Sequence, residues 1–300
     1  MAQVGSLDFK GYVEGRKGER VGGAYGHGDS YAYVSDRNTR IAFEKMKPVE
    51  LAVSATVRFF KNMGKSELLG HAVKVGPKQF PRVHDLGVRC AESLGIAPPT
   101  MYIVNHPTHN AATYGTNDDS FIMIHSKLVD DFTDEELLSV IGHECGHIHN
   151  NHVVYLTTIH YLRILAIRFI PFFPVVADAA LLPLLGWLRR AEITCDRAGL
   201  LCCGSIDVST RALAKLALGS AKLYNDLNME AFLEQYDEGK DTPGRYAELR
   251  ASHPWLPKRV IALKAFAESE LFRKRSGAGQ DGLTMQQVDD KVHEIIKIWG

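Results

Sequence analysis

The stretch Leu137–His152 reads LLSVIGHECGHIHNNH and contains the pattern His-Glu-x-x-His at residues 143–147. On an α-helix, residues four positions apart share a face, so His143 and His147 can bind one metal ion together. Glu144 follows the first histidine and can reach a water molecule on that ion. Two neutral imidazoles leave part of a zinc coordination sphere open, as catalysis requires. The stretch therefore predicts a zinc site on a helix.

The residues ahead of this pattern predict where its helix begins. Thr133 and Glu136 are spaced as the N-cap and N3 residues of a capping box, and Phe132 and Leu137 occupy the two positions of a hydrophobic staple. Apolar residues then recur at helical spacing. We expect a helix that begins after Thr133 and runs on to about Leu165. The alternative is a pair of surface histidines on an ordinary helix.

A zinc site needs at least one further protein ligand, and the residues just after the motif do not supply it. One class of zinc protease has a third histidine where this chain has Val153. Around a helix, His149 and His152 lie at about 240° and 180° from His143, whereas His147 lies at about 40°. We therefore predict that His149 and His152 belong to the polar face of the helix.

A better candidate lies in the segment 190–196. Glu192 and Asp196 are four residues apart, so they share a face if the segment is helical. Glu192 can then complete a site of two histidines and one carboxylate, and Asp196 can orient His143 or His147. The alternative is a solvated acidic face that the neighbouring arginines neutralise.

Together, HECGH and the later EITCD resemble the zinc peptidase family of the HtpX heat-shock protease and the type I CaaX prenyl protease. The segment Asn110-Ala111 resembles the Asn-Ala pair beside that family's substrate groove, which makes both residues candidates for substrate binding. The segment Ser252-His253-Pro254 with Arg259 is similar to the family's late His-Pro and Arg residues.

The resemblance covers roughly residues 70–270 and implies roles for several of them. It makes Glu192 the third ligand of one zinc ion per chain. His253 is implied to hydrogen-bond the oxyanion or the substrate, and Arg259 to pair with Asp196. The implied fold is α+β and mostly helical, a gluzincin-like zinc protease domain with a small β-sheet whose edge strand lies over the active-site helix.

The chain order suggests three parts. The sequence itself predicts a helix near residues 80–94, strands at 101–104 and 121–124, and an edge strand with a turn between these strands. We expect a glycine-rich flexible arm at 1–40, the peptidase domain at 41–275, and a linker followed by an amphipathic helix at 276–300.

Composition narrows the class of partner and the compartment. Lys plus Arg and Asp plus Glu number 35 each, so the chain lacks the basic excess of nucleic-acid-binding proteins and no nucleic-acid partner is expected. Five cysteines, an odd number, favour a reducing compartment, the cytoplasm. Residues 169–188 are strongly apolar but contain Asp178 and several prolines. They predict a buried or lid-like helical hairpin, with peripheral membrane contact as the alternative.

These predictions lead to a zinc-dependent metalloendopeptidase. Zinc is expected to polarise a water molecule and the scissile carbonyl, while Glu144 acts as general base and passes the proton to the leaving amine. The substrate is a protein or peptide that binds extended or unfolded, as an added strand beside residues 110–114. The alternatives are a non-catalytic zinc-binding scaffold or partner-binding protein, and a latent enzyme whose N-terminal arm masks the site through His27.

Overall fold

The computed structural model describes residues 31–43, 46–59, 66, 69–168, 173–239, 248 and 251–297. It confirms an α+β fold in which helices surround one small sheet. The helices are α1 (Val34–Phe43), α2 (Lys47–Phe59), α3 (Pro81–Leu94), α4 (Ser126–Asp131), α5 (Asp134–His149), α6 (Val153–Arg168), α7 (Phe173–Cys203), α8 (Ile206–Leu218), α9 (Ala221–Tyr224), α10 (Met229–Gly239), α11 (Leu256–Ala267), α12 (Glu270–Ser276) and α13 (Met285–Ile296). The strands are β1 (Ala72–Lys74), β2 (Thr100–Val104), β3 (Ala111–Gly115) and β4 (Ser120–His125).

The sheet places its edge strand against α5. Its strands are ordered β1-β2-β4-β3, so among the described residues β3 pairs on one side only, with β4. The pairs β1–β2 and β3–β4 are antiparallel, and β2–β4 is parallel. Ile122 and Ile124 of β4 share a buried core with Leu137 and Ile141 of α5. The Thr113 hydroxyl of β3 reaches Glu144 of α5, so the predicted edge strand lies over this helix.

Helix α5 begins as its sequence predicts but ends earlier. The Thr133 hydroxyl accepts a hydrogen bond from the Glu136 backbone, and the Glu136 carboxylate accepts one from the Thr133 backbone, which completes the capping box. The helix ends at His149, and Asn151 then adopts a left-handed backbone with φ of 58° before α6 begins. The prediction of one continuous helix to Leu165 is wrong, because this turn interrupts it.

The long helix α7 packs closely along α5. A Cβ added at Gly146 would lie 2.8 Å from the Cβ of Ala198 and 3.1 Å from the Cα of Cys195. Any larger side chain at Gly146 would push the two helices apart, because the interior has no spare volume there. This close approach places Glu192 and Asp196 of α7 beside the histidines of α5.

Helices α1 and α13 are docked on α7. The buried side chain of Arg197 donates to the Tyr31 carbonyl at 3.1 Å and to Asp289 Oδ1 of α13 at 2.8 Å. Asp289 Oδ2 in turn accepts from the backbone N–H of Val34, at the start of α1. The arm predicted for residues 1–40 differs from the structure over 31–40, because Tyr31 and Asp36 are buried and α1 is regular helix. Residues 1–30, which include His27, lie outside the described residues.

The apolar segment 169–188 supplies the first part of α7. Residues 169–172 and the side chains of 173–180 lie outside what the structure describes. Pro183 lies inside the helix, and Leu184 and Trp187 are buried. Among the described residues, no helix is both long and apolar enough to cross a membrane. Peripheral membrane contact through this segment stays a prediction.

Candidate metal centre and active site

Four parts of the fold bring the predicted site residues to one cavity. The motif residues lie on α5, the acidic pair on α7, the Asn-Ala pair at the start of β3, and the late His and Arg residues before and within α11. The cavity has a volume of about 300 Å³. Its walls include the predicted residues Asn110, Ala111, His143, Glu144, Glu192, Asp196, His253 and Arg259. His147 lies beside it, against Glu192.

The two histidines of the motif direct their Nε2 atoms towards one carboxylate. His143 Nε2 lies 3.6 Å from Glu192 Oε2, and His147 Nε2 lies 3.5 Å from Glu192 Oε1. The imidazole rings are 5.0 Å apart and nearly perpendicular. The helical spacing of the sequence thus produces the arrangement that it predicts. Two Nε2 atoms and one carboxylate are the protein donors of a common type of catalytic zinc site.

The carboxylate of Glu192 is buried and has an unsatisfied oxygen. The residue is 2% exposed, and its Oε2 has no hydrogen-bond partner. Burial alone would raise the pKa of Glu192, but the charges of His253 and Arg259 outweigh burial and hold the pKa well below its usual range. Arg259 Nη2 at 3.3 Å and His253 Nε2 at 3.4 Å lie near this oxygen without forming a hydrogen bond to it, so a metal ion held between Glu192 and the two motif histidines would satisfy it. These side chains therefore fit a zinc ion.

A second set of atoms is also close enough to hold a metal. His143, His147 and Cys195 each offer a ligand atom, and these atoms lie within 4.8 Å of one another. The Cys195 sulfur, however, contacts His152 Nδ1 at 3.7 Å, and burial raises the pKa of the thiol well above its usual value. A thiol must lose its proton to bind zinc. We favour Glu192, because the Nε2 atoms of both histidines face it.

Glu144 is held at the cavity wall by the edge strand. The hydroxyl of Thr113 in β3 donates a hydrogen bond of 2.5 Å to Glu144 Oε2. Glu144 is mostly buried but still lines the cavity. No sequence pattern singles out Thr113, because the contact depends on how the sheet packs on α5. Glu144 therefore lies next to His143 in the sequence, and a residue of the sheet, not of α5, orients its carboxylate.

The Nδ1 atom of His143, on the side of the ring away from Glu192, faces the carboxylate of Asp196. His143 Nδ1 lies 3.0 Å from Asp196 Oδ1, and Arg259 donates to Asp196 through Nε at 2.8 Å and Nη2 at 2.6 Å. Burial alone would raise the pKa of Asp196, but the charge and hydrogen bonds of Arg259 lower it. A charged Asp196 requires a proton on His143 Nδ1, which leaves the Nε2 lone pair free for a metal.

The Nδ1 atom of His147 faces the imidazole of His152. The prediction that His152 lies on the polar face of the helix is wrong. His152 is not on a polar face but is 1% exposed, with its Nδ1 at 3.2 Å from His147 Nδ1. Its Nε2 lies 3.1 Å from Asp36 Oδ2 of α1. The error has a physical cause: α5 ends at His149, so the helical angle no longer applies three residues later.

A sequence signal for the end of α5 was present, but none existed for Asp36. Asn150-Asn151 follows the motif, and asparagine tolerates the left-handed backbone that ends helices. Asp36 lies far from the motif in the chain and belongs to no recognisable pattern. Only the docking of α1 on α7 brings it to the site.

His253 lies on the solvent side of Glu192. Its Nε2 is 3.4 Å from Glu192 Oε2, and its side chain is 56% exposed. The Ser252 hydroxyl lies 2.9 Å from His253 Nδ1. Asn110 and Ala111 line the same cavity from the edge strand. The structure therefore brings these residues to the site, while their contacts with substrate stay predictions.

Comparison with known proteins agrees with this geometry. Residues 77–267 match Peptidase family M48. The plastoglobule-localized metallopeptidase 48, chloroplastic, of Arabidopsis thaliana is 38% identical over 231 residues, which cover 74% of this chain and 67% of that protein. A protease HtpX homolog of Moorella thermoacetica is 26% identical over 233 residues, covering 68% of this chain and 78% of the relative.

A protease HtpX homolog of Bacteroides fragilis is 25% identical over 254 residues, covering 70% of this chain and 76% of the relative. No solved structure matches the chain. The family match spans well over half of the chain and contains the motif, the acidic pair, His253 and Arg259. The chain therefore belongs to Peptidase family M48 and is an HtpX-like metalloprotease, which acts on peptides or proteins.

Proposed function

We propose that this protein is a zinc-dependent metalloendopeptidase that uses one zinc ion per chain. His143, His147 and Glu192 are the ligands in this proposal. The observation that carries it is the buried carboxylate of Glu192, which the Nε2 atoms of both histidines face and whose Oε2 makes no hydrogen bond. When bound there, zinc supplies a Lewis acid for the scissile carbonyl and lowers the pKa of a water molecule.

Glu144 is the general base. It accepts the proton of the attacking water and delivers it to the leaving amine. Its place directly after His143, with Thr113 holding its carboxylate at the cavity wall, supports this role. Asp196 and Arg259 keep the proton of His143 on Nδ1.

His253 and the edge strand contact the substrate. The exposed imidazole of His253 donates to the oxyanion or to the substrate main chain. An extended peptide adds to β3 beside Asn110 and Ala111, because that edge carries backbone groups that can pair with another strand. Main-chain pairing of this kind selects unfolded or extended protein segments more than particular side chains.

The location is a further part of the proposal. We place the enzyme in the cytoplasm, with peripheral membrane contact through residues 169–188 as the alternative to a segment that only packs against the protein. A liposome flotation assay with the wild-type protein tests this contact, and a protein that stays in the aqueous fraction at low salt would argue against it.

The first test of the function is cleavage of an unstructured protein by zinc-loaded wild type and by Glu144→Gln. Glutamine keeps the shape of the side chain but cannot accept the proton. We expect the rate to fall by roughly 10²- to 10⁴-fold, the usual contribution of a general base. Glu135→Gln makes the same chemical change at an exposed position on the same helix and should leave the rate unchanged.

Zinc binding is measured in the same samples. If wild type binds zinc and cuts while Glu144→Gln binds zinc without cutting, the proposal stands. Equal cleavage by wild type and Glu144→Gln would contradict the role of Glu144, and a wild type that binds no zinc would contradict the proposal as a whole.

A further inference from the structure

A buried series of hydrogen bonds connects His147 to helix α1. His147 Nδ1 lies 3.2 Å from His152 Nδ1, and His152 Nε2 lies 3.1 Å from Asp36 Oδ2. Trp187 Nε1 donates to Asp36 Oδ1 at 2.7 Å, and the Thr194 hydroxyl donates to Asp36 Oδ2 at 2.7 Å. His152 and Asp36 are each 1% exposed, so water does not replace these partners.

The groups that can only donate to Asp36 fix the direction of every hydrogen bond in this series. The indole N–H of Trp187 can only donate. Thr194 Oγ1 accepts from the backbone N–H of Tyr33 at 3.1 Å, which directs its own proton to Asp36. Both oxygens of Asp36 are therefore acceptors, and His152 must donate to Asp36 from Nε2.

The same logic continues to His147. Because His152 carries its proton on Nε2, its Nδ1 is an acceptor. Two atoms face that nitrogen: His147 Nδ1 at 3.2 Å and the weakly donating thiol sulfur of Cys195 at 3.7 Å. Without a proton, His147 Nδ1 would set its lone pair against the lone pair of His152 Nδ1. His147 therefore carries its proton on Nδ1, and its Nε2 lone pair points at Glu192.

We propose that Asp36 and His152 are positioning residues for metal binding: Asp36, through His152, holds His147 in the Nδ1–H tautomer with Nε2 directed to the metal. The inference rests on the proposed zinc site. Asp36 belongs to α1, before the residues 77–267 that match the family. Helix α1 thus supports the metal site and is not an appendage to the peptidase domain.

The first variant is Asp36→Asn in the full chain. An amide presents one oxygen and one NH2 group in place of the two carboxylate oxygens. In the first orientation the NH2 group faces the N–H of Trp187, and in the second it faces His152 and Thr194. In the second case His152 turns to the other tautomer and its Nδ1–H opposes that of His147. We expect zinc affinity, measured by competition with a chelator, to fall by roughly 10- to 100-fold, the usual cost of losing such a partner.

The matched control is Glu136→Gln. It makes the same change of carboxylate to amide at a fully buried position, but Glu136 bonds to Arg211 and Lys215 rather than to a histidine. We expect this variant to bind zinc as tightly as wild type in the folded protein. A similar loss of affinity in both variants would show a general effect of stability and would overturn the inference.

Two substitutions of His152 separate hydrogen bonding from packing. His152→Gln keeps one acceptor and one donor but loses the ring. His152→Phe keeps a ring against Trp187, where the present rings are 5.1 Å apart, but has no polar atom. If hydrogen bonding matters, Gln should retain most of the zinc affinity and Phe should lose it. The reverse order would show that His152 acts by packing alone.

The tautomers are measured directly in metal-free wild type. Long-range ¹H–¹⁵N NMR of labelled histidines should show a proton on Nδ1 of His147 and on Nε2 of His152. A proton on Nε2 of His147 would overturn the inference whether or not the protein cleaves peptides. Unchanged zinc binding in both Asp36→Asn and His152→Phe would likewise overturn it, while leaving the proposed protease function intact.

Discussion

The two histidines of the motif differ in the residue that hydrogen-bonds to their Nδ1 atom. His143 meets Asp196 directly, one helical turn after Glu192 on the same helix. His147 meets His152, which in turn depends on Asp36 of α1. The first arrangement follows from spacing within a short segment. The second follows from the docking of a helix that lies outside the family match.

The two arrangements also differ in charge. Asp196 is held by the charged fork of Arg259, whereas Asp36 is held by the neutral donors of Trp187 and Thr194 together with His152. Arg259 also lies 3.3 Å from Glu192. A substitution at Asp196 therefore unbalances a set of buried charges. A substitution at Asp36 mainly changes which groups donate and which accept hydrogen bonds.

The largest effect on zinc affinity is expected at Glu192, whose carboxylate faces both His143 and His147. Glu192→Gln removes the charge that faces both histidines, so zinc affinity should fall beyond the roughly 100-fold that the loss of an outer partner costs. Cys195→Ser should bind zinc almost as wild type does. Chelator competition measures both variants. Loss of zinc in Cys195→Ser with retention in Glu192→Gln would instead assign Cys195 as the third ligand.

A smaller effect should distinguish the two outer partners. Asp196→Asn and Asp36→Asn should both weaken zinc binding, but Asp196→Asn should also lower the stability of the metal-free protein more. It leaves Arg259 nearly buried without its main partner, and breaking a buried ion pair costs up to about 3–5 kcal/mol. Denaturant unfolding without zinc measures the difference. Equal stability of the two variants would contradict the distinction that we draw between them.

Much of the site could be predicted because its information is local. The capping box at Thr133 fixes the start of α5, the helical period then sets His143 and His147 on one face, and the same period sets Glu192 beside Asp196. Helix α3 is similar: it ends where Gly95 adopts a left-handed backbone, as the glycine predicts.

The rest could not be predicted because it depends on packing between distant segments. The buried position of His152 follows from a turn at Asn151 that interrupts a pattern still apolar on both sides. Thr113 reaches Glu144 only because the sheet edge lies on α5. Asp36 reaches His152 only because α1 docks on α7, where Tyr31 and Tyr33 are buried. No periodicity in a single segment carries such contacts.

The smallest effect on the metal site is expected at the start of α5, where Glu136 stabilises the helix without touching either histidine. Burial alone would raise the pKa of Glu136, but its hydrogen bonds from Lys215, the Thr133 backbone and Arg211 outweigh burial and lower it below the ordinary value of 4.5. Because the folded-state pKa is the lower one, the charged carboxylate stabilises the fold above the ordinary pKa, and this contribution is lost as the pH falls through the folded-state pKa.

Glu136→Gln shows this dependence against wild type. The difference in free energy of unfolding between the two metal-free proteins should be constant above about pH 5.5, where the carboxyl is ionised in both states, and should shrink as the pH falls below its ordinary pKa. Denaturant titrations across this range measure it. A difference that persists unchanged into acid would mean that Glu136 acts only as a neutral acceptor in the capping box. The ion pairs with Arg211 and Lys215 would then contribute nothing to holding the helix that carries both histidines.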